Sequence, residues 1–247
     1  MIFETIPLHV SRTKFHTVQS DFQPSLTTYI LDSFQNKPRK AVVICPGGGY
    51  EFRSPREGEP VAMRFLAAGF QAFVLNYSVA PARFPVAALE LATAVALVRS
   101  RASQWNIDPD QVFIMGFSAG GHLCATLGTL WDEPFFADAL ALTIKGKAWR
   151  PAGMILCYPV ISMIEKTHFG SREKLLGNDA SADDYKALSL ELRVTEKTVP
   201  AFIWHTSDDV AVPVDNSMMF AAGLRRAHVP FELHIYETGV HGLSLCD

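Results

Sequence analysis

Ser118 stands in Gly116-Phe-Ser-Ala-Gly120, directly after the apolar run Val112-Phe-Ile-Met115 and directly before the helix-forming stretch Gly121-His-Leu-Cys-Ala-Thr-Leu127. Strand, tight turn and helix in that order hold a serine hydroxyl out above a sheet, and the crowding of the turn demands glycine at 116 and 120. A helix that begins at the serine also offers positive potential to a developing oxyanion. A serine hydroxyl at its ordinary pKa is a poor nucleophile, so a base must stand within hydrogen-bond reach. Of the eight histidines, His241 is the best placed. It lies in Thr238-Gly-Val-His-Gly-Leu243, a glycine-flanked loop after the last apolar run. His234 falls inside a strand pattern, and His228 reads as a favourable charge at a helix C-terminus. A carboxylate is then needed to orient the imidazole, and Asp208 and Asp209 both follow the run Ala201–His205. Asp215 reads instead as the N-cap of the next helix.

Pro46-Gly-Gly-Gly-Tyr50 follows another apolar run, Ala41-Val-Val-Ile-Cys45. Successive glycines let a backbone turn its N–H groups toward a carbonyl oxygen, so Gly48 and Gly49, with the Ala119 amide, are candidate oxyanion donors. Which two of the glycines at 47–49 serve is open at this level. A phosphate cradle would require a following Gly-Lys-Ser/Thr, which is missing. His205 and Asp209 could be read as metal ligands, but no further Cys, His or Glu cluster accompanies them, so no metal is expected.

These residues need a scaffold that brings them together. From Lys40 onward short apolar runs alternate with amphipathic stretches, the pattern of a mainly parallel sheet with helices on both faces. Strands are expected at Ala41–Cys45, Phe70–Asn76, Gln111–Met115, Gly153–Cys157, Ala201–His205 and Phe231–Tyr236, the last alternating and so nearer an edge. Helices are expected at Pro60–Ala68, Pro85–Ala102, Gly120–Leu130 and Asp215–Ala227. The rhythm weakens over 131–150 and 162–200, which read as small covers, the second overhanging the site. No repeat or linker divides the 247 residues, so a single domain over 1–247 is expected.

Net charge is −3 with both signs interspersed, which gives no basic patch for nucleic acid. The four cysteines are scattered, three of them in apolar segments, as in a reducing compartment. The N-terminus lacks a secretory pattern, and the apolar stretch 152–164 is too short to span a bilayer. A soluble cytoplasmic protein with no membrane association is the expectation.

Six segments in one order resemble the α/β-hydrolases, and within them the acetyl-xylan-esterase-like or feruloyl-esterase-like group related to hormone-sensitive-lipase-type esterases. They are Cys45-Pro-Gly-Gly-Gly-Tyr-Glu-Phe52, Leu75-Asn-Tyr-Ser-Val-Ala-Pro-Ala-Arg83, Gly116-Phe-Ser-Ala-Gly-Gly-His122, Cys157-Tyr-Pro-Val-Ile161, Trp204-His-Thr-Ser-Asp-Asp209 and His241-Gly-Leu243. The spacing from His205 to Asp209 to Val212-Pro213 resembles the acid loop of that fold, which favours Asp209 over Asp208. The resemblance implies a cofactor-free serine carboxylesterase with Ser118, Asp209 and His241 as triad, acting on short acyl esters such as acetyl esters of sugars. A peptidase or amidase on the same scaffold is the nearer alternative, and a catalytically silent binding protein the remoter one. Tyr50, Phe52, Tyr77 and Phe117 are candidates to line the substrate pocket, although aromatics at such positions serve equally as core. Two departures stand out. Related chains carry a proline shortly before the catalytic histidine, where this one has Gly239-Val240, so a looser loop is expected. They also continue into a final helix, whose absence would uncover apolar surface and favour a homodimer.

Overall fold

The computed structural model describes residues 1–10, 22–32, 37–140 and 146–246. The chain opens with two short strands that sequence patterning misses, β1 (Thr5–Pro7) and β2 (Ser25–Tyr29). Their Thr- and Ser-rich sequence lacks the apolar runs of the later strands, because they form one half-covered antiparallel edge of the sheet. The chain then alternates: β3 (Arg39–Cys45), α1 (Glu59–Ala67), β4 (Gln71–Asn76), α2 (Val86–Ser100), β5 (Ile107–Phe117), α3 (Ala119–Leu130) and α4 (Pro134–Leu140). It continues through β6 (Met154–Cys157), α5 (Phe169–Leu176), α6 (Ala182–Ala187), β7 (Ala201–Thr206), α7 (Asp215–Arg226) and β8 (Phe231–Tyr236).

Among the described residues eight strands join one sheet in the order β1-β2-β4-β3-β5-β6-β7-β8. From β4 to β8 every pairing is parallel, and β8 is an edge, as its alternating sequence predicts. Strand order reverses between β3 and β5, and the crevice outside the carboxyl ends of strands at such a point is where open α/β sheets bind ligands.

The central strands are apolar on both sides because both sides are covered. Along β3, Val43 and Cys45 belong to one buried cluster with α2 and α3, whereas Val42 and Ile44 belong to the other with Val61, Ala62 and Leu66 of α1. Residue-by-residue alternation across two cores pins the register, since a slip by one would exchange the two sets. Toward β7 and β8 the α1 face thins out, leaving Phe202 and Phe231 exposed around a cavity of about 390 Å³ that also touches Phe113 and Ile155, with Tyr236 exposed further along β8. Among the described residues no helix is long and apolar enough to cross a membrane.

The four expected helices, α1, α2, α3 and α7, fall within two residues of expectation, with one correction at a cap, whereas α4, α5 and α6 lie in the stretches read only as covers. Val214 is the N-cap of α7 and Asp215 is its first helical residue, whose side chain makes no capping bond; its carboxylate sits in the first turn instead. The stretch 131–150 starts at the far end of α3 from Ser118 and holds α4; its residues 141–145 lie outside the described residues. The stretch 162–200 carries α5 and α6 and reaches back to the catalytic end. Lys174 of α5 pairs with Glu51 at 2.8 Å, and the Phe84 amide donates to Leu175 O at 2.9 Å.

Asn216 of α7 pins the start of that stretch. Its buried Oδ1 accepts the Ile161 and Ser162 amides at 2.9 and 3.0 Å, and its Nδ2 donates to Lys166 O and Pro213 O at 2.9 and 3.0 Å. Every capacity of the amide is therefore used. Asn216→Ala is expected to cost about 3 kcal/mol of stability in urea denaturation, because buried backbone groups lose their partners. Asn216→Asp should also destabilise, since a carboxylate cannot donate to the two carbonyls. A change below about 1 kcal/mol for the alanine variant would contradict this role.

Candidate active site

The turn between β5 and α3 forces Ser118 into φ 52, ψ −118, a backbone region that L-residues seldom occupy. Close approach makes its glycines obligatory. A Cβ on Gly116 would fall 2.0 Å from Gly120 O, and one on Gly120 would fall 2.1 Å from Cys45 O. The turn is held by the Ser118 amide donating to Cys157 O at 3.0 Å, and by the Ser118 carbonyl accepting the His122 and Val160 amides, each at 3.1 Å. The Ser118 side chain makes no capping bond to the helix, so its hydroxyl is free for another partner.

That partner is His241. Ser118 Oγ lies 2.8 Å from His241 Nε2, and His241 Nδ1 lies 2.6 Å from Asp209 Oδ2. With Nδ1–H donating to the carboxylate, Nε2 is the acceptor that can take the serine proton. Asp209 is buried, and its Oδ1 accepts the Ala211 and Val212 amides, each at 2.9 Å. Burial by itself would raise its pKa. The bonds from His205, His241 and the Val212 amide outweigh burial and hold the carboxyl well below the usual carboxylate range.

His205, read from sequence as a possible ligand, has a supporting place. Ser217 Oγ–H donates to its Nδ1 at 2.8 Å, and its Nε2–H reaches Val212 O at 3.0 Å and Asp209 Oδ2 at 3.3 Å. Asp208 points elsewhere, accepting the Gly239 amide at 2.8 Å. Thr206 Oγ1 also donates to Gly239 O at 2.7 Å, so the loop expected to be loose is clasped on both sides of that residue without a proline. Among the described residues no group of three or more His, Cys, Asp or Glu side chains is placed to hold a metal ion.

The glycine loop faces the same point. Gly47 is excluded as an oxyanion donor, because its N–H is held by Glu57 Oε2 at 2.7 Å. The amides of Gly48, Gly49 and Ala119 have no partner among the described residues. Glu57 is a buried carboxylate that sequence reasoning missed, since Pro55-Arg-Glu-Gly-Glu59 reads as solvated charge. Its Oε1 accepts Tyr158 Oη–H at 2.7 Å, and Tyr158 Oη accepts the Ser244 amide at 2.8 Å. Burial, reinforced by the neighbouring Glu57, pushes the Tyr158 phenol far up, so it stays a donor. The Tyr158 ring meets His241 edge-on with centroids 5.1 Å apart. One carboxylate thus ties the glycine loop to the loop that carries His241.

Three of the four expected pocket aromatics have no surface to offer. Tyr50, Tyr77 and Phe117 are 3%, 0% and 1% exposed, whereas Phe52 is 58% exposed. Tyr77 Oη donates to Pro46 O at 2.6 Å, Tyr50 Oη bonds His122, and Phe117 packs on Tyr158. They shape the site from behind.

The BD-FAE family profile matches residues 28–224. The chain is 38% identical over 237 residues to endo-1,4-beta-xylanase B of Butyrivibrio fibrisolvens, covering 92% of the chain and 35% of that protein. It is 34% identical over 216 residues to an acetylxylan esterase of Xylanibacter ruminicola, covering 85% of the chain and 42% of that protein. The chain therefore spans less than half the length of these two curated relatives. A crystal structure of an acetyl ester-xyloside bifunctional hydrolase from Caldicellulosiruptor lactoaceticus is similar with a TM-score of 0.87 and 39% identity, covering 98% of this chain and 89% of that one.

Behind the site His122 is fully buried, its Nε2–H donating to Leu188 O and its Nδ1 accepting from Tyr50 Oη, each at 3.0 Å. Burial lowers its pKa from 6.5 to about 4, against a smaller opposing effect of the Leu188 carbonyl. Between those values the unfolded chain binds a proton that the folded chain does not, so stability falls as pH is lowered through the window 6.5 to about 4. The loss from this residue is expected to reach about 3 kcal/mol. In His122→Gln, the difference in urea stability between pH 7 and pH 4 should shrink by a comparable amount; an undiminished difference would place the acid sensitivity elsewhere.

Proposed function

The chain belongs to the BD-FAE family, and from that membership together with its site geometry we propose that it is a serine carboxylesterase acting on short-chain acyl esters, acetyl esters of sugars among them. The observation that carries this reading is the continuous row from Ser118 Oγ to His241 Nε2 at 2.8 Å and from His241 Nδ1 to Asp209 Oδ2 at 2.6 Å, beside unpartnered amides. Similarity to an acetylxylan esterase and to an acetyl ester-xyloside bifunctional hydrolase supports the choice of substrate.

The chemistry is acyl transfer in two steps. His241 Nε2 accepts the Ser118 proton as Oγ attacks the ester carbonyl, and the negative charge moves to the carbonyl oxygen. The Gly48, Gly49 and Ala119 amides receive that oxygen, each contributing roughly 3 kcal/mol to the transition state. The alcohol departs with the proton from His241, leaving an acyl group on Ser118. Water, deprotonated by the same nitrogen, then releases the acid. Asp209 stays ionised throughout, holding Nδ1–H in place and stabilising the imidazolium.

Ser118→Ala is expected to lower p-nitrophenyl acetate hydrolysis by about three orders of magnitude or more and to abolish labelling by a fluorophosphonate probe. Asp209→Asn should lower kcat by a factor on the order of 10⁴, whereas Asp208→Asn, which only loosens the Gly239 contact, should cost less than about tenfold. The reverse ranking would exchange the two roles. Amine release from acyl amides at rates rivalling ester cleavage would favour the amidase reading. Failure of the folded wild type to label would favour a silent binding protein.

A further inference from the structure

A histidine that the triad does not use stands beside the oxyanion loop. His168 is the N-cap of α5; its Nδ1 accepts the Ser171 backbone N–H at 3.2 Å and lies 2.8 Å from Ser171 Oγ. A backbone amide can only donate, so Nδ1 is the unprotonated nitrogen and the proton of the neutral ring sits on Nε2. Partial burial, and then the charge of His241, hold its pKa below the ordinary imidazole value, which keeps the ring neutral. Nε2–H has no partner among the described residues.

Its position is specified from two directions. A Cβ at Gly49 would lie 3.8 Å from His168 Cε1 and 4.0 Å from Ser171 Oγ, so the ring flanks the amide that faces the carbonyl oxygen. His168 also lines a cavity of about 440 Å³ with Ile164, Lys166, Phe169, Val210 and Ala211, the last two following Asp209 directly. Ser118 and His241 do not line that cavity, but the ring is flanked by Gly49 and lies within reach of the His241 charge, so it stands on the imidazole side of the serine. That is the side where the departing alcohol must lie, because the alcohol takes its proton from His241 Nε2.

We infer that His168 Nε2–H is a specificity donor for the alcohol half of the ester, selecting alcohols that carry a hydroxyl next to the ester-bearing carbon, as polyols and sugars do. This assignment rests on the esterase reading above. It gives the cover segment a chemical role, since the helix cap that fixes the tautomer belongs to α5.

The test compares 2-hydroxyethyl acetate with propyl acetate, which differ by one hydroxyl in place of a methyl. The wild type is expected to prefer the hydroxyl ester in kcat/KM. In His168→Asn, whose amide oxygen still caps α5 but whose side chain cannot reach the cleft, the ratio of the two kcat/KM values should fall about five- to tenfold. In His168→Gln, whose amide nitrogen takes the place of Nε2, the ratio should survive while thermal stability drops through the weakened cap. An unchanged ratio in His168→Asn, an equal fall in both variants, or a wild type without preference would reduce His168 to a helix cap and overturn the assignment. Fluorophosphonate labelling of Ser118 without hydrolysis of either acetate would overturn it too, while leaving a serine hydrolase in place. Absence of both labelling and hydrolysis would remove the esterase reading and this assignment together.

Discussion

Parallel strand pairing is the constraint on which the rest of this structure depends. In a parallel sheet every strand delivers its C-terminal end to the same edge, and β3, β5, β7 and β8 carry their functional loops at those ends. The glycine loop follows Cys45, Ser118 follows Phe117, Asp209 lies just past Thr206, and His241 lies just past Tyr236. Because the central strands are buried on both faces, none can slip without exchanging its two apolar sets, so the loop origins are located by hydrophobic packing rather than by the polar groups they bear. Polar contacts then need only close the last few ångströms.

Those contacts form between loops and scarcely within them. Asp208 and Thr206 hold Gly239, which steadies the approach to His241. Tyr158 links the same loop, through the Ser244 amide, to Glu57, and Glu57 holds the Gly47 amide. A buried carboxylate bonded in this way fixes two loops at once, and the low dielectric around it makes each bond stronger than it would be in water. In the proposed mechanism this gives electrostatic preorganisation: the amides at 48, 49 and 119, unpartnered among the described residues, need no reorganisation as charge develops. The strained backbone of Ser118 belongs to the same design, since it persists only where the surroundings over-determine it.

The stretch between β6 and β7 completes the site from above while being anchored below. Asn216 gathers four backbone groups at its root, His122 carries a bond from the oxyanion side to Leu188, and Lys174 reaches Glu51 from α5. The exposed Lys174–Glu51 pair contributes little stability, whereas the buried amide and imidazole bonds are costly to lose. The segment is therefore fastened at its base and at its middle, and its His168 and Phe169 line a cavity shared with the loop that follows Asp209.

Local chemistry in the sequence determined the strand-helix rhythm, the elbow around Ser118, the glycine loop and the candidacy of His241, because each depends on residue type over a few positions. Gly116 and Gly120 are legible since the backbone approaches too closely for any Cβ. The tertiary structure alone decided what depends on neighbours distant in the chain. It separated Asp209 from Asp208, joined residues 123 positions apart at the Ser118–His241 bond, and excluded Gly47 by giving its amide to Glu57. It also moved Tyr50, Tyr77 and Phe117 into the core, left β1 and β2 to be recognised only through pairing, and turned the charged-looking Glu57 inward. Burial and hydrogen-bond partnership are properties of packing, and no short window of residues carries them.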